Sequence, residues 1–493
     1  MFYRNALKTK KTQSKTFEFD MFSSPAQTGK DDSVCDFNLT DECYAFRTNS
    51  GALVSGYGFE DFASPLSKTD LENESTVAIS GNEISALWSF EWYDKANDEN
   101  KYYSMYFNDQ MKICYDDMFG ARPTTLLVNT SFTVAPVGIR YKLDGIDSMI
   151  FSGKGQNLLV LKGQSQLTSE NVPRLISICS HFGKLFAITA GARGRLVYTD
   201  NENILEWSDE QTKNLDFSDS RGNLTKIVSF DDYVYIFREY GITRISEYSS
   251  DSEFAITHLY QSDSYIYPNS IAHSGDRIYF LEKSGLKYFN GSSVRSVEAN
   301  EVKNLSLVNN NCYGQCFEGK YFLACKMDFQ EGQVGCETSS FTNNALLVYD
   351  EADEHCEVVR GIDIRSMLAL QNPYKPKLIA CFYGENKAKL GQLTEEGKAF
   401  SLLLPAKWQS VKSDLGQAGK RKKIKKILIK SLSDCTLTIK SDEEEKSFAL
   451  AGQNKLQELS CNVVGKEFAV LLSSQSGPST KISSLVLSGI VEN

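Results

Sequence analysis

A recurring pair of short apolar runs constrains this chain more than any other feature. The runs are rich in Tyr, Phe and β-branched residues, and each pair opens on a turn of Gly, Asp or Glu. The first clear copy is Phe182-Gly183-Lys184-Leu185-Phe186-Ala187-Ile188, followed by Gly194-Arg195-Leu196-Val197-Tyr198. The second is Phe230-Asp231-Asp232-Tyr233-Val234-Tyr235-Ile236-Phe237, followed by Gly241-Ile242-Thr243-Arg244-Ile245. The third is Gly275-Asp276-Arg277-Ile278-Tyr279-Phe280, followed by Gly285-Leu286-Lys287-Tyr288-Phe289. The fourth is Glu318-Gly319-Lys320-Tyr321-Phe322-Leu323, followed after a long loop by Ala345-Leu346-Leu347-Val348-Tyr349. Aligning Leu185, Val234, Ile278 and Tyr321 gives a period of about 43–49 residues. Fainter copies lie at 102–107, 148–151 and 377–383, which makes about seven units.

One such unit is a small antiparallel sheet that cannot bury both faces alone. Stacking the units around an axis covers the faces and leaves short edges, which is the propeller solution. A stacked-sheet solenoid or two sandwiches would give a similar pattern. The repeat lacks the Gly-His and Trp-Asp marks of WD40 units. No segment of 140–400 keeps the i, i+3, i+4, i+7 apolar spacing of a helix for three turns. The aromatic supply of 29 Phe, 24 Tyr and 4 Trp suits pleated, half-buried surfaces.

The flanks differ in character. Residues 1–35 are polar and charged and read as an arm that orders on contact, and 36–405 as the propeller-like body. From Pro405 the chain turns polar, and 406–419 reads as a linker. Beyond it, apolar runs at 424–429, 435–439, 447–450, 468–472 and 482–487 alternate with polar turns, which predicts a separate β-sandwich over 420–493. The expected class is all-β, a β-propeller-like array of about seven sheet repeats with a C-terminal β-sandwich.

Charge and composition bound the function. A formal net charge of −10 gives no global reason to hold nucleic acid tightly. The start, Met1-Phe2-Tyr3-Arg4-Asn5, has no apolar core of a signal peptide after it. No apolar stretch approaches the ~18 residues of a membrane span, so no membrane anchor is expected. The 12 Cys include Cys35, Cys43, Cys312, Cys316, Cys325 and Cys336, and contain no CxxC pair. They read as buried free thiols of a reducing cytoplasm.

Catalytic and cofactor patterns are weak throughout. The four histidines, His181, His258, His273 and His355, lack metal-ligand spacing, and adjacent His355-Cys356 would point to opposite faces of a strand. Cys179 and His181 share a strand face, but a Cys–His nucleophile needs contact geometry that spacing cannot supply. Asp216, Asp219, Asp231 and Asp232 are the carboxylates a glycosidase propeller would draw on, and turn chemistry alone accounts for them. Ser218-Asp219-Ser220-Arg221-Gly222 is faintly similar to the Asp-box turn of sialidases, without its closing aromatic. Gly191-Ala192-Arg193-Gly194-Arg195 matches no phosphate-loop fingerprint and reads as a tight connection. The expectation is a non-enzyme without cofactor or metal.

The largest charge anomaly is Lys420, Arg421, Lys422, Lys423, Lys425 and Lys426, with Ile424 and Ile427 inside it. It reads either as a contact for phosphates or an acidic neighbour, or as a solvated loop leading into an edge strand. The acidic run Asp442-Glu443-Glu444-Glu445 lies one hairpin away and is placed to face it.

The stretch from 139 to 300 resembles a known family. It holds Tyr141-Lys142-Leu143-Asp144-Gly145, Gly153, Gly194-Arg195-Leu196-Val197-Tyr198-Thr199-Asp200 and Glu206-Trp207-Ser208. Gly222-Asn223-Leu224-Thr225-Lys226-Ile227 follows, then the runs at 230–237 and 241–245. In style of repeat this resembles the tail nozzle, or packaged-DNA stabilisation, proteins of phages. The resemblance implies a structural virion protein of the tail, assembled in the host cytoplasm. It implies a homo-oligomeric ring beside the portal, adaptor and other tail proteins, retaining and conducting duplex DNA without sequence specificity, and no catalytic residues. The alternatives are a propeller binding module for a protein or glycan, and a glycan-active enzyme with axial carboxylates.

Overall fold

The computed structural model describes residues 13–19, 40–49, 51–67, 70–76, 83–110, 113–117, 124–125, 132, 134–154, 157–163, 165–169, 172–199, 207, 212–247, 254–297, 310–328, 340–352, 355–370, 376–384, 387–475 and 480–492. Most of the expected arm lies outside these residues, as do Cys35, Cys336, Asp200, Glu206 and Ser208. Among the described residues the chain is all-β, and no helix is long and apolar enough to cross a membrane.

Seven antiparallel sheets form a β-propeller. Their inner strands are Ile84–Asp94, Val137–Leu143, Leu175–His181, Leu224–Phe230, Ile266–Ser274, Tyr313–Phe317 and Ile364–Leu370 for blades 1 to 7. Each is followed by a second strand: Glu99–Asn108, Ile146–Lys154, Lys184–Thr189, Tyr233–Arg238, Arg277–Glu282, Lys320–Cys325 and Lys377–Gly384. The repeated apolar runs fall on these second strands, and Leu185, Val234, Ile278 and Tyr321 are all fully buried. A second strand is covered by neighbouring blades on both faces, so it is apolar at nearly every position rather than at alternate ones. Two-residue turns join inner to second strands at Asp144-Gly145, Phe182-Gly183 and Glu318-Gly319, with both residues at positive φ. This is the primed-turn geometry whose twist matches the flanking strands.

The ring closes with a borrowed strand. Blade 7 takes its outer strand, Gly58–Asp61, from the N-terminal side of the chain, paired antiparallel to Lys387–Thr394. Phe59 is fully buried there, edge-on to Phe382 at 4.8 Å. Blade 7 then meets blade 1 in one apolar cluster that includes Phe62, Ile84, Leu87, Leu370, Ile379 and Leu390.

Two expected boundaries are corrected by the strand pairing. Pro405–Ser410, placed in a linker by its polar sequence, is a sandwich strand between Thr40–Tyr44 and Phe468–Gln475. Its alternate residues point inward, and Trp408 is fully buried, a pattern masked by Lys407 and Gln409 between them. Thr40–Tyr44, Phe46–Asn49 and Ala52–Ser55, expected in the propeller body, also belong to the sandwich. So does Gln13–Phe19, within the expected arm, which pairs with Lys481–Val491. The sandwich is therefore built from both flanks of the propeller. It is not a separate core: Trp408, Ile424, Leu437 and Leu485 share one cluster with Phe322, Leu346 and Ile364 of blades 6 and 7. The Ala45 N–H donates to Val358 O on the outer strand of blade 6 at 2.9 Å.

Candidate binding site at the channel mouth

The basic run lies on Lys422–Ser431, an internal strand between Lys481–Val491 and Gln457–Gly465. This corrects the edge-strand reading. Alternation on either side of a β-bulge between Ile424 and Lys426 sends Lys422, Ile424, Ile427 and Ile429 inward. Lys422 is fully buried, and its amine donates to the carbonyls of Lys420 (2.7 Å) and Gln417 (3.1 Å). Burial pushes its pKa down. The Arg421 guanidinium forks onto Glu443 and lies 3.5 Å from Glu492, and Lys426 pairs with Glu458 at 2.7 Å. Lys420 and Lys425 remain exposed and Lys423 half-buried. The facing acidic run is itself occupied, since Asp442 accepts the backbone N–H groups of Lys466 and Glu467. The run carries much less free charge than its sequence suggests.

The other sequence candidates are held by their neighbours. Cys179 enters an apolar cluster with Phe186 and Ile188, and burial pushes its thiol up to about 12, which leaves almost no thiolate. His181 is instead 2.8 Å from Ser229 Oγ, across to blade 4. Asp216 pairs with Arg195 at 2.6 Å on the outside of blade 3. Asp219 is held by the fully buried Arg238 at 2.6 Å and by Arg221 at 3.2 Å. Backbone and guanidinium donors outweigh its burial and hold its carboxyl at about 2. Asp231 occupies a turn at φ 49° with Asp232 beside it. None of these four carboxylates lines the propeller axis. Among the described residues no three His, Cys, Asp or Glu side chains converge as a metal site.

What the repeats converge on is a cavity of about 730 Å³ on the propeller axis, lined from all seven blades. It opens where the inner strands begin. Two glycines set its walls. A Cβ on Gly314 would lie 2.1 Å from Ser270 O, so the inner strands of blades 5 and 6 touch there. A Cβ on Gly138 would lie 2.7 Å from Trp88 Nε1, so blade 2 gives way to an indole of blade 1. Between blades, side chains replace the ladder: Ser177 Oγ accepts Ile227 N–H at 3.0 Å, and Tyr321 donates to Ser270 O at 2.7 Å.

The charged lining is sparse and one-sided. Lys226 reaches from the inner strand of blade 4, and its amine donates to Ile271 O of blade 5 at 2.8 Å. Burial, with no carboxylate to offset it, lowers this amine to about 8. Arg193 stands exposed on the glycine-rich loop of blade 3. Arg365 of blade 7 gives one bond to the buried Asp363 at 3.0 Å and stacks over Tyr383 at 5.2 Å. Its Nε is buried without a partner. Asp363 also accepts the N–H groups of Asn343 (3.0 Å) and Thr342 (3.3 Å), which ties these two residues of blade 6 to blade 7. Glu83 is the one carboxylate among the described lining residues. Sequence reasoning passed over all of these. The usable signals were a lysine between Leu224 and Ile227 of a strand, and an arginine between glycines at 193.

No protein-family model and no curated protein matches the chain. Among solved structures it is similar to virginiamycin B lyase from Staphylococcus aureus, at 10% identity and TM-score 0.40, over 63% of this chain and 99% of that one. It is similar to BBS1N in complex with ARL6DN, at 10% identity and TM-score 0.43, over 69% and 97%. BamB from Moraxella catarrhalis gives 8% identity and TM-score 0.37, over 71% and 94%. Likenesses at these identities, with TM-scores below 0.5, carry nothing about activity or partners.

Proposed function

We propose that this chain is a propeller binding module that holds a protein partner at the channel mouth and does no chemistry on it. The charge of the cavity carries the reading. Among the described residues Arg193, Lys226 and Arg365 line it against Glu83, with the buried Asp363 paired to Arg365 behind the lining, in a chain of formal net charge −10. A patch sorted against the sign of the whole molecule steers and selects an oppositely charged partner. The cavity falls within the roughly 300–1,000 Å³ of ordinary ligand sites. The thiol and carboxylates that would serve catalysis are protonated, paired or off the axis.

The resemblance over 139–300, which spans blades 2 to 5, supports a second reading as a phage tail nozzle. There the chain is one copy of a virion ring next to portal and adaptor. A net-acidic wall would let duplex DNA slide, because tight phosphate contacts would retard it. Light scattering and negative-stain microscopy of the full chain over a concentration series separate the two. Monomers at every concentration support the module. Closed rings around a channel wide enough for duplex DNA support the nozzle and overturn the module.

A further inference from the structure

The cavity is rich in donors and poor in acceptors. Arginine and lysine side chains only donate. Among the described residues Lys226 has one acceptor, Ile271 O, for three ammonium hydrogens. Arg365 spends one bond on Asp363 and leaves a buried Nε unmatched. Arg193 adds a full guanidinium at the rim. An occupant that completes these groups must bring acceptors, and anionic ones bind them most strongly.

We infer that the channel mouth takes a peptide segment by its carboxylates, with Lys226 inside the ring of strands and Arg193 and Arg365 around it. This rests on the binding-module reading. A peptide brings carboxylates and carbonyls in excess of donors. A sugar brings a donor with every hydroxyl, and among the described lining residues Glu83 is the one carboxylate to receive them. Phosphate sites are usually cradled by successive backbone N–H groups, whereas the cations here are side chains. Tyr265 and Tyr313 offer the apolar faces that side chains flanking a carboxylate would cover.

The site has a pH signature. Lys226 titrates near 8. Facing it are His273, which burial and Lys226 keep below its ordinary value, and the Cys312 thiol, pushed up to about 12. Tyr265 and Tyr313 are also raised by burial, and Arg193, Arg365 and Glu83 are the charged groups that share the lining. Lys226 is thus the group that loses its charge between neutrality and pH 9.5. A bound carboxylate raises its pKa, so binding near pH 8 takes up protons.

The test is fluorescence anisotropy on the full chain, with a labelled octapeptide of Asp, Glu and Phe and its Asn, Gln and Phe counterpart. The acidic peptide is expected to bind about tenfold tighter or more. Lys226→Met and the solvent-exposed Arg193→Gln should each weaken it about fivefold or more, and Lys425→Gln on the sandwich should not. Affinity should fall on raising the pH to about 9.5, and Lys226→Met should remove that fall. Equal binding of the two peptides overturns the inference. So does indifference to Arg193→Gln, or preference for inorganic phosphate or a uronic-acid oligosaccharide over the acidic peptide. If the chain is monomeric and the acidic peptide fails, the ligand class falls alone. Closed rings remove the module itself, whatever the peptide does.

Discussion

The propeller axis and the sandwich use cations in opposite ways. On the sandwich six basic residues stand within seven positions, yet Arg421 and Lys426 are paired with carboxylates and Lys422 is buried against carbonyls. On the axis three cations come from blades 3, 4 and 7, far apart in sequence, and among the described residues Asp363 is the one carboxylate bonded to any of them. Density in sequence is therefore a poor guide to available charge. A run on a single strand alternates faces, and its outward members find acids on neighbouring strands. Cations gathered by a ring closure meet only what the other blades send.

The comparison breaks first if the two regions are not one body. Trp408→Ala removes the largest fully buried side chain of the shared core and should cost about 3–5 kcal/mol. Calorimetry should show one transition, lowered as a whole. Two transitions, with the propeller unmoved, would separate the regions. Next comes Asp219→Asn, which removes the charge facing Arg238 Nη1 while Gly222 O still holds its Nε and Nη2, and should lower stability by about 1–2 kcal/mol at pH 7. The Asp219 carboxyl is depressed in the folded state, so its stabilising share is present above its unfolded value near 4 and lost as the pH falls towards 2. Acid titration of unfolding in wild type and variant should converge in that window.

Lys226→Met tests the axis in the other direction. An amine depressed to about 8 destabilises the fold wherever it is charged. The penalty is complete below pH 8 and gone above the unfolded value near 10.5, so wild-type stability should rise through that window. The variant should be about 1–3 kcal/mol more stable at pH 7 and lack the rise. Denaturant midpoints at pH 7 and above reveal it. The smallest effect belongs to the sandwich: Arg421→Gln should leave the denaturant midpoint nearly unchanged, and the difference should vanish in high salt. A large loss there would mean that the run does structural work beyond its ion pairs.

The blades were legible because second strands are buried on both faces, so runs such as Val234–Phe237 are apolar without interruption. The same burial explains what was missed. Gly58–Asp61 offers one inward aromatic, Phe59, and its partner strand lies hundreds of residues away. Gln457–Gly465 shows only Cys461, Val463 and Gly465 fully to the core, so its outward Glu458, Ser460 and Asn462 disguise it. The basic run was visible, but its neutralisation depends on Glu443 and Glu458, which only the folded sandwich brings close. The cavity was not legible at all, because its lining is spread over short stretches of all seven blades and no one segment contains it.

The borrowed strand has a consequence for how the molecule is made. Glu60 bonds to Gln392 across 332 residues, and Leu53 pairs with Ile482. A ribosome delivers the early partners long before the late ones. Through most of synthesis the blade 7 seam and the sandwich are both unsealed, with Phe46, Leu53 and Phe59 uncovered. Such long-range pairing is slow to form and exposes sticky edges meanwhile. Interrupting translation before 387–394 would leave the seam and the sandwich open at once, whereas a stop before 481–491 would leave the sandwich alone without its central strand, a natural point for chaperones or proteases to act.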